Sequence, residues 1–349
     1  MTPRKISEYL ISHLVCPRDH SLLTQFDSSL VCTFGHRYPI VEGIPVMLLA
    51  DEKETIGIAK HSLSVASRYS EDLTSDDPWF TTTLGISENE KDGIIELSKK
   101  SNHYLVDPVV QFLVGATNGI LYKDVIGKLD CYPIPELRLP VGAGRYLLDI
   151  GCSWGRWSVA AAKLGYYPIG IDPSLGAVLA ARRVFNQLGL EGDFIVADAR
   201  FMPFANGSID TVFSYSVLQH FSEEDFTLSL KEVARVLNAD GISLIQMPNR
   251  FGLRCLYQQA RRGFRKPENF EVRYRSPSTL LNLFNSSIGQ SELSIDCFFS
   301  IGLQAADINI IPKKYRSLIY LSETLRKLGT NFYSLNYIAD SLYITSTKS

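Results

Sequence analysis

The sequence predicts an α/β fold, with helices on both faces of a mainly parallel sheet, a small β unit ahead of it and a helical lead-in between. Three observations predict it. Short apolar runs recur at 146–150, 167–172, 194–198 and 210–216, each bounded like a buried strand rather than a helix. Helical patterns alternate with them, at 157–165, 177–188 and 223–237, and this alternation builds a parallel sheet. Between the first run and its helix lies a glycine turn, Asp149-x-Gly151-x-Ser153-x-Gly155, so strand, turn and helix open a nucleotide-binding βαβ unit.

The composition bounds the rest. A chain of 349 residues has room for one large α/β domain and a smaller module. With 45% hydrophobic and 21% charged residues it is globular in character, and its net charge of −2 gives no global nucleic-acid footprint, leaving local basic patches open. No apolar stretch reaches membrane-spanning length, and the N-terminal apolar segment is interrupted by Ser12 and His13, so no signal peptide is expected. Six cysteines spread over this length do not form a disulfide framework, and a reducing cytoplasm is the expected compartment.

The first expected unit covers residues 1–50. Its cysteines are each followed four residues later by a histidine, Cys16-x3-His20 and Cys32-x3-His36, a donor set that suits tetrahedral structural Zn²⁺. The tail RYPIVEGIPVML resembles the zinc-ribbon-like family that includes the activator subunit of tRNA and protein methyltransferases. That family carries C-x2-C pairs, and here Asp19 and Gly35 stand at the second-cysteine positions. Two readings compete: a Cys₂His₂ zinc site, and a ribbon that has lost its metal and folds on apolar packing. Either unit is structural, because a fully coordinated zinc has no open position for chemistry.

Residues 51–140 form the lead-in. The acidic clusters of 51–100 read as solvated helix faces and a linker, interrupted at 78–81, and 104–126 read as helices. Pro133, Pro135 and Pro140 then stiffen the entry to the core.

The third unit, 141–349, carries the chemistry. The spacing of its turn is not the G-x-G-x-x-G of dinucleotide sites, which needs a cradle for a pyrophosphate. Asp172 closes the second strand one βα unit later, where a carboxylate can accept both ribose hydroxyls of a nucleoside; the competing role is an N-cap at Asp172 or Ser174. Asp198 closes the third strand. In this order and spacing, Asp149/Gly151/Ser153/Gly155, Asp172, Asp198-Ala199 and the run ADARFMPFANGSID resemble the Rossmann-like (class I) S-adenosylmethionine (SAM)-dependent methyltransferases of the type 11-like group.

The resemblance implies a seven-stranded methyltransferase sheet that ends in an antiparallel hairpin, matched by 293–299 and 341–347 with a helical insert at about 301–339. It implies a SAM site formed by Asp149, Gly151, Cys152, Ser153, Gly155, Asp172, Pro173, Asp198, Ala199 and Ser216, with Asp198 and the Ala199 backbone reading the adenine. Met202 or Phe204 would press on the adenine or belong to the core. The lead-in would fold over the cofactor, making Asn118 and Tyr122 pocket candidates against the competing role of packing. Methyl transfer would be a direct displacement.

Ligands of such sheets bind beyond the carboxyl ends of strands, so Tyr215, Ser216, Gln219 and His220 fall near the methyl group. His220 is the best general-base candidate and Tyr215 a second, the competing role for His220 being a loop hydrogen bond. The basic run 250–266 is either a solvated helix face or a contact for RNA, an acidic substrate or a lipid surface, the last a peripheral membrane contact. Three functions follow. The first is a methyltransferase for a small-molecule or lipid-precursor acceptor. The second is an RNA (rRNA or tRNA) methyltransferase using the ribbon, since the layout resembles a bacterial rRNA guanine methyltransferase family. The third is a non-catalytic SAM-binding scaffold.

Overall fold

A computed structural model describes residues 6–69, 77–100, 104–117, 120–299 and 305–349. Five strands at its centre run parallel: β5 (Tyr146–Ile150), β6 (Tyr167–Asp172), β7 (Asp193–Val196), β8 (Ile209–Ser214) and β9 (Leu237–Pro248). β10 (Gly289–Cys297) and β11 (Ser341–Lys348) form the expected antiparallel pair, with β11 inserted beside β9. Together they make a seven-stranded mixed sheet in the order β10-β11-β9-β8-β5-β6-β7.

Side chains of a strand alternate between faces, and the sheet uses both. On β7, Ile195 joins the core under one face while Phe194 and Val196 join the core under the other. The first core is covered by α7 (Glu223–Val236) and α9 (Pro277–Ser287), the second by α6 (Leu175–Leu188) and the lead-in helices α2 (Ile58–Ser67), α3 (Glu88–Lys100) and α4 (Pro108–Thr117). α5 (Arg156–Lys163) packs Trp157 and Ala161 on Leu147 and Phe213.

Three features of the fold go beyond the sequence reading. Residues 51–100 are not simply a solvated linker, because α2 and the turn 81–83 are pinned to the start of α6. Ser62 Oγ donates to the Pro173 carbonyl and accepts from the Leu175 N–H, and Thr83 Oγ1 accepts from the Gly176 N–H. The segment 238–241, whose Asn-Ala-Asp-Gly composition favours a turn, lies inside β9, where Asp240 takes φ 62° and the pairing with β8 shifts register. The N-terminal unit is not an island. Helix α1 (Glu8–His13) and a four-stranded antiparallel sheet of β1 (Leu23–Phe26), β2 (Ser29–Cys32), β3 (Arg37–Val41) and β4 (Ile44–Pro45) share the main core through Leu10, Leu14, Cys16 and Met47. Beyond β4, Val46 bridges Val196 in parallel, and the Met47 N–H donates to the Val196 carbonyl at 2.7 Å. Asn118 lies outside the described residues. Among the described residues no helix is long and apolar enough to cross a membrane.

Candidate active site

The glycine turn is built by hydrogen bonds to the neighbouring strand. The Gly151 and Cys152 N–H groups both donate to the Ile171 carbonyl, and the Ser153 N–H donates to Asp172 Oδ2 at 3.0 Å. Gly151 takes φ 73°, and a Cβ there would lie 2.2 Å from Val217 Cγ2, so only glycine fits. Gly155 takes φ 84° as the residue before α5, with its would-be Cβ 3.1 Å from Ala181.

Asp172 holds the turn and the next helix together. Its Oδ1 accepts from the Ser174 N–H at 2.9 Å, while Ser174 Oγ accepts from the Ala177 N–H as the N-cap of α6. The cap is therefore Ser174, and Asp172 keeps a carboxylate facing the cavity. Burial pushes the Asp172 carboxyl up to about 6. Asp149 is raised to about 7, first by burial and then by the charge of Asp172, while the Ser158 hydroxyl that donates to it pulls the other way.

Two cavities meet at this turn. One, of 430 Å³, is lined by Ile150, Asp172, Pro173, Ala197, Asp198 and Ala199, and closed by Thr55, Ile56, Leu84 and Gly85 of the lead-in. The other, of 410 Å³, runs past Trp157, Tyr215, Gln246, Tyr274, Asp340 and Ser341. Gly151, Ser153, Tyr215, Ser216 and His220 line both. Cys152 lines only the second, and Asp149 and Gly155 line neither; they support the turn from beneath. Met202 and Phe204 are fully buried in the core and line neither cavity. Tyr122 is likewise buried, its hydroxyl bonded to Asp307 and Arg156.

At the junction, His220 Nδ1 lies 2.7 Å from the Phe270 carbonyl, which can only accept, so Nδ1 carries the proton. Nε2 is then the lone-pair nitrogen, 3.2 Å from the Gln219 amide nitrogen. Burial holds the imidazole below its ordinary range, outweighing the Phe270 hydrogen bond. The neutral imidazole thus lines both cavities where they join, with its Nε2 lone pair held by the Gln219 amide. Tyr215 is different. Its hydroxyl donates to Asp296 Oδ2 at 2.9 Å, and burial together with the Asp296 charge pushes its ionisation far up. Tyr215 is a wall and a donor, not a proton acceptor, which corrects its candidacy as a base.

Of the charged side chains around the second cavity, Asp340 is the one without an ion-pair partner among the described residues. Arg156 is paired with Asp307, Asp296 with Arg138, and Asp340 accepts from the N–H groups of Arg254, Cys255 and Phe299.

At the N-terminal unit the donor set differs from the expected one. Cys16, Asp19, Cys32 and His36 bring one ligand atom each to within 4.8 Å of the others. His36 Nδ1 stands 3.5 Å from Cys16 Sγ, 3.3 Å from Cys32 Sγ and 3.0 Å from Asp19 Oδ2. Tetrahedral zinc with bonds of about 2.0–2.3 Å gives ligand–ligand edges of roughly 3.3–3.8 Å, close to these separations. His20 is not among them. The His20 N–H closes the turn onto the Cys16 carbonyl, its φ is 57°, and its ring is exposed, so the fourth donor of the cluster is Asp19. Tyr38 Oη lies 3.1 Å from Cys16 Sγ, placed to donate to a thiolate.

Residues 147–241 match the family profile described as a methyltransferase domain. The matched stretch holds the glycine turn, Asp172, Asp198 and His220. Around this methyltransferase domain the chain is 29% identical over 107 residues to a ubiquinone biosynthesis O-methyltransferase of Azorhizobium caulinodans, covering 31% of this chain and 42% of that one. It is 24% identical over 232 residues to a sphingolipid C9-methyltransferase of Candida albicans, covering 62% and 42%. The chain thus spans less than half the length of these curated relatives. A solved SAM-dependent methyltransferase from Archaeoglobus fulgidus aligns at a TM-score of 0.41 and 16% identity, over 60% of this chain and 88% of that one.

Several residues of the site are not singled out by sequence spacing. Phe270 and Gln246 lie far from the glycine turn in sequence, Ile56 follows an acidic cluster and Leu84 a run of threonines; spacing within one element carries no signal for them.

Proposed function

We propose that this chain is a SAM-dependent methyltransferase that moves the methyl group onto a hydroxyl oxygen of a small-molecule or lipid-like acceptor. The observation that carries the reading is the junction of two cavities at His220, whose Nδ1 is protonated by its bond to Phe270 and whose Nε2 is the lone-pair nitrogen. The match of residues 147–241 to a methyltransferase domain and the named O-methyltransferase relative support it.

The residues fit SAM. Gly151 and Val217 both line the cofactor-side cavity, and glycine at 151 avoids the collision with Val217 that a Cβ would cause; the Asp172 carboxylate is a two-oxygen acceptor suited to the ribose hydroxyls. Asp198 lines the same cavity, held by Arg200, and would accept from the adenine amino group. When bound, SAM supplies a methyl already activated on sulfur, and its transfer breaks the sulfur–carbon bond and leaves S-adenosylhomocysteine. The protein's part is position and proton transfer. Once the Gln219 amide yields the Nε2 lone pair, His220 Nε2 would take the acceptor's hydroxyl proton as the new oxygen–carbon bond forms; the Phe270 carbonyl and ring fix the imidazole, and Thr55, Ile56, Ile58, Leu84 and Gly85 wall the cofactor side. Arg156 is paired with Asp307 while Asp340 leaves one carboxylate on the wall, so a neutral or cationic acceptor suits this cavity better than an anionic one.

We further infer that Cys16, Asp19, Cys32 and His36 hold a structural Zn²⁺. Isothermal titration of SAM and S-adenosylhomocysteine, with Asp172→Ala alongside, tests the cofactor site, and labelled methyl transfer to hydroxylated small molecules and lipids tests the reaction. Micromolar binding lost in the variant is expected. Folded, metal-replete protein that binds neither compound would overturn the reading.

A further inference from the structure

The helix α8 (Leu253–Arg261) is turned the wrong way for a helix that merely lies on a protein surface. Such helices bury their apolar stripe. Here the buried side is Cys255 and Gln259, while Leu253, Leu256 and Tyr257 are 62%, 38% and 59% exposed. Leu253, Leu256, Tyr257 and Ala260 follow the i, i+3, i+4, i+7 spacing of one continuous stripe, and Arg254 and Arg261 run beside it. Exposed Phe251 and Phe264 extend the stripe at its two ends.

A second exposed segment adjoins it. Phe332, Tyr333, Tyr337 and Ile338 stand in solvent, and their backbone is tied to the start of α8. Asn249 Nδ2 donates to the carbonyls of Asn336, Tyr337 and Ala339, and Asp340 Oδ1 accepts from the N–H groups of Arg254 and Cys255.

Charge selects the occupant. Residues 250–266 carry six arginines and lysines and no acid, in a chain whose net charge is −2. Arg265 is paired with Glu268 and Glu271, and Arg262 with Glu271; Arg250, Arg254, Arg261 and Lys266 have no ion-pair partner among the described residues. A second copy docked on this face would set cation against cation. RNA would answer the arginines and stack on Tyr257, yet would leave Leu253, Leu256 and Ile338 in water. An anionic bilayer answers all three: hydrocarbon for the leucines, the interface for tyrosine, phosphate for arginine.

We propose that α8 and the segment 332–338 lie in the surface of an anionic lipid membrane. Cys255, Val272, Tyr274 and Asp340 line the 410 Å³ cavity, so the docked face is the outer side of the acceptor cavity's own wall. The membrane contact stands independently of the methyltransferase reading. That the acceptor enters from the bilayer interface rests on it.

The test is sedimentation of the full chain with phosphatidylcholine vesicles, with and without phosphatidylglycerol. Binding to the anionic vesicles, weakened by salt, is expected. Arg254→Glu with Arg261→Glu lowers that binding by about 30-fold or more. Leu253→Ser with Tyr257→Ser also lowers it, and neither pair changes SAM affinity, which verifies the fold. Wild-type protein that binds SAM but no vesicle overturns the membrane contact and leaves the methyltransferase reading intact. Vesicle binding without SAM binding does the reverse. RNA binding lost in the same variants, or a dimer dissolved by Leu253→Ser, with no vesicle binding in either case, would also overturn the proposal.

Discussion

The imidazole of His220 lies flat against the ring of Phe270, with centroids 4.1 Å apart and planes 5° from parallel, while its Nδ1 donates to the carbonyl of the same residue. One residue thus fixes both the plane and the tautomer of the group at the cavity junction.

His220→Gln keeps a polar side chain but removes the proton acceptor. The expected loss in kcat is roughly 10²–10⁴-fold, the usual contribution of a general base, with little change in SAM affinity by titration. In the wild type, kcat should fall on acidification with its midpoint below the ordinary imidazole value of 6.5, because burial lowers the basicity of His220. A kcat independent of this residue would exclude the base role.

Asp172 governs cofactor affinity. Asp172→Ala removes hydrogen bonds to an ionised group, worth about 1.5–3 kcal/mol, and should weaken SAM binding by about 10–100-fold. In the wild type the affinity should decline as pH falls through about 6, where Asp172 takes up a proton. Titration calorimetry across pH 5–8, about the span in which buried groups of this kind titrate, reads both effects.

Stability of the ligand-free protein runs the other way. Asp149 and Asp172 are raised to about 7 and about 6 from 3.8, so the folded state binds more protons than the unfolded one between those values. Their contribution is fully present below pH 3.8 and is lost as pH rises through about 6 and about 7. Thermal melts should show Asp149→Asn less sensitive to pH than wild type over the upper part of that window.

The parts legible in the sequence are those encoded locally. Apolar runs capped by Asp172 and Asp198, and glycines at 151 and 155, predict strands and a turn, because backbone geometry there depends on a few neighbouring residues. The hairpin of β10 and β11 is legible through its alternation, despite the long insert between the strands. What escapes are contacts closed by the fold. Phe270 reaches His220 across 50 residues of chain, and no period in the sequence announces that contact. The ligand set fails for a related reason: spacing matches His20 with Cys16, but the direction in which the turn closes decides that Asp19 faces Cys32.

Metal content distinguishes the two sets directly. Cys32→Ser and Asp19→Ala should lose bound zinc, whereas His20→Ala should retain it, read by elemental analysis of purified protein. Equal loss in His20→Ala would restore the histidine as a ligand.

Gly151→Ala should abolish SAM binding and destabilise the fold by about 1–3 kcal/mol, since alanine must hold a left-handed backbone conformation. Adding Val217→Ala relieves the 2.2 Å collision but not the backbone strain, so recovery of the melting temperature should be partial.

The contact of Val46 and Met47 with Val196 has a consequence for self-association. A sheet grows into a fibre only when each molecule offers two open borders. Here the chain's own N-terminal unit occupies the border at β7, leaving β10 as the terminal strand on the other side. The small sheet keeps a terminal strand of its own in β1, so strand addition between copies is hindered only where Val46 and Met47 cover Val196.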